Sequence, residues 1–230
     1  MTITILTLFP EMFVSPFNSS IIKRAVDRKF LKLETVNIRD FANDRYKTVD
    51  DHPYGGGVGM VMKVDILDRA IEKLKIKNLK LKIKERIVLL DPAGKVYNQK
   101  MARKYSGLDH LILIAGHYEG YDQRIENFVD ESVSVGDYVL TGGEIPSMVI
   151  VDSVTRLIPG VLKSEATENE SFSNKLDYNL LEPPQFTRPE DYKGFKVPEV
   201  LLSGNHKEIV KWREREALKR TEKIRDKINK

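Results

Sequence analysis

The sequence predicts an α/β domain with a mostly parallel sheet, followed by a small, mainly helical C-terminal domain. Three observations support this fold class. Short runs that are apolar on both faces are typical of strands covered by helices on each side. Segments with helical spacing lie between these runs, as in successive βαβ units. After residue 162 a polar, acid-rich stretch begins, which predicts that the first domain ends there.

Apolar runs and their glycine or proline boundaries define the predicted elements. The run 111–115 is the most apolar of them. The alternating segment 73–84 is open to two interpretations, an exposed strand or a solvated connector. The predicted strands are 3–9, 31–38, 86–90, 111–115 and 133–140, and the predicted helices are 19–29, 64–75, 98–106, 144–158 and one that begins near Asn205. Asn205 and Glu208 have the spacing of a capping box at the start of this last helix.

The composition narrows the class of protein. Of the 230 residues 41% are hydrophobic, which is enough for a proper core, and no apolar run approaches the length of a membrane span. Cysteine is absent, which fits a reducing, cytoplasmic compartment. The four histidines lack the paired spacing of zinc ligands, so we predict no metal site formed by histidines. The net charge of +4, with a basic C-terminal segment, is compatible with a polyanionic partner.

Three glycine-containing turns are candidates for ligand binding, at 91–94, 116–120 and 135–143. Each lies at the end of a predicted strand, and the carboxyl ends of parallel strands are where such sheets bind ligands. A further glycine cluster, 54–60, lacks the Gly-Lys-Ser/Thr of a P-loop and the third glycine of a dinucleotide fingerprint. It is either a flexible surface loop or a substrate-facing loop, and the charged residues just upstream favour the second interpretation.

Several motifs in the same order along nearly the whole chain resemble a known family. They are Leu-Phe-Pro-Glu-Met-Phe (8–13), the glycine cluster with its preceding Val-Asp-Asp-His-Pro (49–60), Gly-His-Tyr-Glu-Gly (116–120), Gly-Asp-Tyr-Val-Leu-Thr-Gly-Gly-Glu (136–144), Arg-Leu-Ile-Pro-Gly-Val-Leu (156–162) and Leu-Leu-Ser-Gly-Asn-His (201–206). Together they are similar to bacterial tRNA (guanine-N1)-methyltransferases of the SPOUT class. One glycine motif would be weak evidence, but a collinear set is specific.

The resemblance implies a fold and a reaction that the periodicity alone does not predict. It implies a deep trefoil knot at the carboxyl side of the α/β domain, and a homodimer with active sites shared between subunits. It implies methyl transfer from S-adenosylmethionine to N1 of guanosine-37 of tRNA, next to the anticodon. On this basis residues 1–162 form the knotted cofactor-binding domain, 163–179 a flexible linker and 180–230 a helical tRNA-binding domain.

The resemblance also assigns the cofactor site. Its residues combine glycines with a few aromatic, polar and small side chains, because backbone groups hold the adenine and ribose and bulky side chains would fill the slot. The turn 91–94 departs from the family pattern in having Ala93 before its glycine. The assigned residues are Pro92, Gly94, Gly116, Tyr118, Glu119, Gly120, Ser134, Val135, Gly136, Tyr138, Leu140, Gly142, Gly143 and Pro146.

Catalysis on guanine N1 needs two groups, since this nitrogen carries a proton and is a poor nucleophile. A carboxylate would accept the proton, and a cation would stabilise the charge that grows on O6. Arg156 matches the family's catalytic arginine. Glu170 occupies the position of the family's aspartate, with Glu168 as a second candidate.

The substrate residues implied by the resemblance lie in the glycine cluster and in the C-terminal helix. The polar tract around Arg45 is a further candidate, as is Lys219. No metal ligand is assigned, and Mg²⁺ is kept as an open candidate cofactor. The residues predicted to contact RNA are Asp50, Gly59, Lys207, Lys211, Arg213 and Arg215.

Two alternatives remain at this point. The chain could be a knotted methyltransferase acting on ribosomal RNA or on a ribose hydroxyl. It could also be a non-catalytic RNA-binding module that kept a cofactor fold, which the replacement of the family aspartate by Glu170 would favour.

Overall fold

The computed structural model describes residues 1–79, 83–168, 170–173 and 180–228 of the chain. Contacts between residues divide it into two compact units, Met1–Leu162 and Lys163–Lys230. We refer to them as the α/β unit and the C-terminal unit. Within the described residues no helix is long and apolar enough to cross a membrane.

The α/β unit alternates strands with helices along the chain. Short 3-10 helices lie at Pro10–Phe13, Ile38–Phe41 and Gln123–Phe128. Its strands are β1 (Thr2–Thr7), β2 (Lys32–Asn37), β3 (Asp50–Asp51), β4 (Val61–Met62), β5 (Glu85–Val96), β6 (His110–Ala115) and β7 (Glu131–Ser134), and its helices are α1 (Val14–Phe17), α2 (Ser20–Asp27), α3 (Val64–Leu79), α4 (Gln99–Ser106) and α5 (Glu144–Thr155).

The main sheet has five strands in the order β2-β1-β6-β5-β7, and every neighbouring pair is parallel. A separate two-stranded sheet pairs β3 with β4 antiparallel. This arrangement confirms the predicted α/β class with a mostly parallel sheet. Because the five strands run the same way, their carboxyl ends lie at one edge, where the segments that follow β6 and β7 meet the second half of β5.

Both faces of the sheet are buried. On β6, Leu111 and Leu113 pack into the hydrophobic cluster on one face, and Ile112 and Ile114 pack into the cluster on the other. All four side chains are fully buried. This explains why the strand is apolar without alternation, since helices cover each face of the sheet.

β5 is longer than predicted and contains the predicted turn. The pairing of β5 with β7 shifts between Leu90 and Lys95, so residues 91–94 form a bulge inside the strand. A Cβ atom on Gly94 would lie 2.4 Å from the backbone nitrogen of Val133. Glycine therefore lets the bulge pack directly against β7.

The predicted strand 133–140 is wrong beyond Ser134. Gly136 has φ +150, and the amide of Tyr138 donates to its carbonyl at 3.0 Å, so the chain turns here. The Ser134 hydroxyl accepts a hydrogen bond from the Gly136 amide at 3.2 Å. These local bonds replace the ladder that a longer strand would need.

Two helix boundaries also differ from the prediction. α3 continues to Leu79, so an exposed strand or solvated connector is wrong for residues 73–79, and 80–82 lie outside the described residues. α5 ends at Thr155, three residues early. The amides of Leu157 and Ile158 bond to carbonyls three residues back, at 3.0 and 3.2 Å, which tightens the chain after the helix.

The described residues of the C-terminal unit form three helices and a hairpin. Its described elements are α6 (Ser164–Glu168), β8 (Asp191–Tyr192), β9 (Phe195–Lys196), α7 (Glu199–Leu202) and α8 (His206–Ile228). The amide of Glu208 donates to Asn205 Oδ1 at 3.4 Å, which confirms the predicted N-cap of α8. The flexible linker 163–179, part of which lies outside the described residues, and the tRNA-binding role of 180–230 stay predictions.

Candidate functional site

A cleft of about 390 Å³ lies at the carboxyl edge of the main sheet. Its walls come from the bulge of β5, the segment after β6 and the segment after β7, in agreement with the position of ligand sites in parallel sheets. The lining residues are 90–93, 116–121, 133–136, 138–143 and 146.

The cleft brings together the residues predicted to bind the cofactor, with Gly94 as the exception. Gly94 lies beside the wall and packs on the backbone of β7. Of the residues predicted to contact RNA, Gly59 belongs to a neighbouring loop and Asp50 to β3. The predicted residues that line the cleft are Pro92, Gly116, Tyr118, Glu119, Gly120, Ser134, Val135, Gly136, Tyr138, Leu140, Gly142, Gly143 and Pro146.

Tyr121 is a wall residue that the sequence did not identify. Its hydroxyl lies 2.7 Å from Asp91 Oδ2 and 2.8 Å from the Leu90 carbonyl oxygen. Burial, and then the hydrogen bond and charge of Asp91, raise the pKa of Tyr121 far above its usual range, so the phenol stays protonated as a donor. The ring also explains Gly116, where a Cβ would lie 2.6 Å from it.

Glu144 is a buried carboxylate at the start of α5, 2% exposed. Its Oε1 accepts a hydrogen bond from the Thr7 hydroxyl at 2.8 Å, and its Oε2 lies 3.7 Å from Nδ1 of His117. A Cβ on Gly142 would lie 2.4 Å from Oε2. Glu144 thus joins the ends of β1 and β6 to the turn that precedes α5. In the sequence His117 and Glu144 belong to motifs, but the motifs predict no role for either.

The end of the glycine cluster 54–60, at Gly59 and Met60, lies against the cleft wall. The amide of Glu119 donates to the Met60 carbonyl at 3.0 Å, and the amide of Met62 donates to Gly120 at 2.9 Å. Gly59 has φ +88, and a Cβ there would lie 2.4 Å from Cγ of Glu119. These contacts favour the interpretation as a substrate-facing loop over that of an independent surface loop. Asp50 lies on β3 opposite Met62.

Arg156 lies at the far end of α5 from the cleft. It follows Thr155 directly and is half-buried, and its amide donates to the Asp152 carbonyl at 3.3 Å. The cleft residues Gly143 and Pro146 lie at the start of the same helix. With a rise of about 1.5 Å per residue, α5 separates the two ends by about 18 Å.

Glu170 belongs to the C-terminal unit, in a turn tied to the chain near residue 180. Its carbonyl accepts from the Ser173 amide at 3.1 Å. The Phe172 amide donates to Leu180 at 2.9 Å, and the Ser171 hydroxyl accepts from the Glu182 amide at 3.0 Å. These bonds hold the backbone that carries the Glu170 carboxylate.

The α8 cations from Lys207 to Lys219 are exposed. Lys207, Lys211, Arg215 and Lys219 recur every four residues, which places them along one stripe of the helix. Lys211 pairs with Glu208 at 3.0 Å, and Arg215 with Glu216 at 3.4 Å. Arg213 lies outside this stripe and lines a groove with Phe186 and Trp212.

The sequence profile described as tRNA (Guanine-1)-methyltransferase TrmD matches residues 1–230. The chain belongs to the tRNA (guanine-1)-methyltransferase family. It is 50% identical over 220 residues to a protein of Dictyoglomus turgidum, covering 95% of this chain and 86% of the relative. It is 52% identical over 223 residues to one of Carboxydothermus hydrogenoformans, covering 96% and 84%. It is 48% identical over 228 residues to one of Mycoplasmopsis synoviae, covering 99% and 96%.

Each of these relatives is named tRNA (guanine-N(1)-)-methyltransferase. The family membership confirms the predicted resemblance and the predicted enzyme class, a methyltransferase that modifies tRNA. Among the residues that the structure describes, no group of three or more His, Asp or Glu side chains is placed to hold a metal ion. The Mg²⁺ candidate stays a prediction.

Proposed function

We propose that this tRNA (guanine-1)-methyltransferase family member transfers a methyl group from S-adenosylmethionine to N1 of guanosine-37 of tRNA in the cytoplasm. The observation that carries the proposal is the cleft, because backbone-rich segments after two parallel strands and a bulge within a third form one concave site of about 390 Å³. That volume falls in the range of small-molecule sites.

The residues present fit S-adenosylmethionine. A Cβ on Gly120 would meet nothing within 4 Å, and the residue has φ +105, so its backbone is open to the cleft. The exposed carboxylate of Glu119 is suited to a ribose hydroxyl. Pro92, Leu140 and Pro146 add apolar wall that would cover the adenine faces.

We further propose that the segment after β7 closes a trefoil knot. The amide of Gly143 donates to the Gly116 carbonyl at 2.7 Å, and a Cβ on Gly143 would lie 2.6 Å from Cα of Ala115. The backbone of the segment after β7 therefore returns to the end of β6 and packs directly against its backbone. Such an approach supports a chain that threads beside the preceding loop, although knots are rare.

The bound cofactor would supply an electrophilic methyl carbon. Glu170 accepts the proton of guanine N1 and so leaves on N1 the electron pair that would bond to the methyl carbon, which the cofactor would release from its sulfur. The guanidinium of Arg156 donates hydrogen bonds to O6, where negative charge develops. The extra methylene of glutamate lengthens the reach of the base relative to the family's aspartate.

We propose a homodimer in which each cleft uses the partner's Arg156. Two observations support it. The length of α5 keeps the backbone of Arg156 about 15 Å from Pro146, the cleft residue on the same helix. Apolar side chains on α5 and the preceding turn are also exposed, with Ile145 at 46%, Val149 at 45% and Val139 at 89%. Exposed apolar surface of this kind marks an interface.

The tRNA would be held by two surfaces. Gly59 lies next to Glu119 of the cleft wall, and Asp50 lies on β3 opposite Met62. The target guanosine would enter here after leaving its stack. Lys207, Lys211, Arg213 and Arg215 would contact phosphates, which makes binding dependent on salt.

Labelled S-adenosylmethionine and tRNA transcripts that differ only in the nucleotide after the anticodon test the proposal. We expect label only in the transcript with guanosine there, and mapping of the product to N1. Equal label in every RNA, label on a ribose, or preference for ribosomal RNA would contradict it. A purified enzyme that binds the RNA and labels none would favour a non-catalytic module.

A further inference from the structure

His117 is a residue of the cleft to which the proposed reaction assigns no role. It lies in the turn that follows β6 and lines the cleft, with its side chain 25% exposed. Every other residue of the turn 116–120 is predicted to bind the cofactor. The imidazole therefore lies among positions that would surround S-adenosylmethionine.

The surroundings of the imidazole hold it in one orientation. The His117 amide donates to the sulfur of Met62 at 3.3 Å, which fixes the backbone. The imidazole packs against the Phe9 ring with centroids 4.8 Å apart, and it meets the Tyr118 ring edge-on with centroids 5.2 Å apart. A Cβ on Gly142 would lie 2.6 Å from Nδ1, so the turn before α5 covers that side of the ring. The two ring nitrogens therefore face different and fixed surroundings.

The Nδ1 atom of His117 faces a buried carboxylate. It lies 3.7 Å from Oε2 of Glu144, it is itself buried, and within the described residues it has no hydrogen-bond partner. Glu144 is the first residue of α5, where the helix dipole favours negative charge. A lone pair on Nδ1 would be repelled by that charge, whereas an N–H group would be attracted to it. The carboxylate therefore favours the tautomer that carries its proton on Nδ1.

The Nε2 atom lies at the opposite edge of the ring. In a neutral imidazole with its proton on Nδ1, Nε2 is a hydrogen-bond acceptor. This atom is accessible, and no group in the described part of the chain donates to it. An accessible acceptor on a fixed ring in the cleft is suited to an N–H or O–H group of a ligand. S-adenosylmethionine carries such donors in its adenine amino group, its ribose hydroxyls and its ammonium group.

We propose that His117 binds the cofactor by accepting a hydrogen bond at Nε2 from one of these donors, and that Glu144 sets the tautomer that makes this possible. The inference rests on the proposed function, because S-adenosylmethionine is its ligand. His117 contacts the cofactor directly, whereas Glu144 is a positioning residue that acts through the imidazole. The target guanine also carries N–H donors, but the neighbours of His117 in the turn are those predicted to bind the cofactor.

Nitrogen NMR of the full-length enzyme, with isotope-labelled histidines, tests the tautomer and the contact. The spectrum of His117→Gln identifies the His117 signals among those of the four histidines. At about pH 8, where free histidine is neutral, we expect the proton on Nδ1, and S-adenosylmethionine should shift the Nε2 signal. Glu144→Gln removes the charge and should abolish the preference for this tautomer. A proton on Nε2 in the wild type, or an Nε2 signal that saturating cofactor leaves unmoved, would overturn the proposal.

Two amide substitutions of His117 form a matched pair for binding. The shorter side chain in His117→Asn reaches the position of Nδ1 only, whereas the longer one in His117→Gln reaches the position of Nε2. His117→Asn should weaken the affinity for S-adenosylmethionine by about 2- to 12-fold, as expected for one lost hydrogen bond, and His117→Gln should bind nearly as the wild type does. Calorimetric titration measures the affinities, and unfolding curves verify that both variants are equally stable. Equal losses of affinity in the two variants would contradict the contact at Nε2.

Further outcomes separate this inference from the proposed function. Wild-type enzyme without affinity for S-adenosylmethionine would refute the proposed function itself. If the wild type binds the cofactor and methylates tRNA, but His117→Asn binds the cofactor equally well, the role of His117 alone fails. A shift of the Nε2 signal by guanosine monophosphate and not by S-adenosylmethionine would overturn the assignment to the cofactor and place the contact on the target base.

Discussion

The hydroxyl of Tyr121 lies 2.7 Å from Oδ2 of Asp91, and this contact ties the segment after β6 to the bulge of β5. Both residues line the cleft. The protonated Tyr121 phenol can hold the Asp91 carboxylate in one position. The pair therefore fixes the shape of the cleft wall that the cofactor would contact.

Tyr121→Phe should weaken the affinity for S-adenosylmethionine by about 2- to 12-fold, the equivalent of one hydrogen bond of about 0.5–1.5 kcal/mol. The turnover at saturating cofactor should change little, because Tyr121 positions the wall and does not contact the reacting atoms. Calorimetric titration measures the affinity, and the pre-steady-state rate measures the chemical step.

Tyr97→Phe is the matched control. The Tyr97 hydroxyl lies 2.7 Å from the Ser153 hydroxyl, and burial raises the pKa of Tyr97 to about 12. It resembles Tyr121 in burial but lies outside the cleft lining. Tyr97→Phe should cost similar stability with no loss of cofactor affinity, and equal affinity losses in both variants would remove the proposed role of Tyr121.

Gly59→Ala should impair methyl transfer more than Gly55→Ala. The two glycines have nearly the same backbone, with φ +88 and +87, so either alanine costs about 1 kcal/mol or more of stability. A Cβ at Gly59 would displace Glu119, whereas a Cβ at Gly55 would meet nothing within 4 Å. Unfolding curves and kcat/KM for tRNA test this difference, and equal activity of the two variants would contradict it.

Thr7→Val should lower the free energy of unfolding by about 1–3 kcal/mol, because it removes the hydrogen bond to the buried Glu144 carboxylate and the acceptor of the Phe9 amide without changing the volume. Thr35→Val on β2 is the control, since Thr35 is exposed and its replacement should fall within about 0.5 kcal/mol. Urea denaturation measures both. A Thr7 variant as stable as the control would show that the carboxylate finds another donor.

The proposed sharing of the active site between two subunits predicts complementation between two inactive enzymes. Arg156→Ala lacks the cation, and Leu140→Arg places a long side chain in the cleft. If Arg156 serves the partner's cleft, mixed dimers hold one intact site, and an equal mixture should regain about a quarter of the wild-type rate. If Arg156 serves its own cleft, every mixed site is defective and no activity returns. Sedimentation of each variant verifies that it still forms dimers.

Secondary structure was predictable from the sequence where the hydrophobic pattern of a segment fitted one kind of element only. The uniformly apolar run at 111–115 predicted a strand buried on both faces, and β6 has that environment. The alternation of Lys with Leu or Ile after residue 73 had two explanations. The structure continues α3 to Leu79 from the apolar positions of its first turns, Ile66, Leu67 and Ala70, so helical propagation overrode the local alternation.

The residues of the cleft were likewise predictable only in part. Its glycine-rich lining was predictable, since turns with little side chain after strands suggest a ligand. Its supporting pairs were not. Tyr121 meets Asp91 from 30 residues away, and Glu144 meets Thr7 from 137 residues away. These contacts depend on strand order and register, which a single sequence read by periodicity does not specify.

The most direct test of the proposed chemistry replaces the carboxylate at Glu170. Glu170→Gln keeps the size of the side chain and removes its ability to accept the N1 proton. Glu168→Gln, two residues away, is the matched control. The measurement is single-turnover transfer of labelled methyl to tRNA, together with the affinity for S-adenosylmethionine. We expect Glu170→Gln to abolish methyl transfer while its affinity for S-adenosylmethionine stays intact. Glu168→Gln should retain methyl transfer. Near-normal transfer by Glu170→Gln would contradict the account.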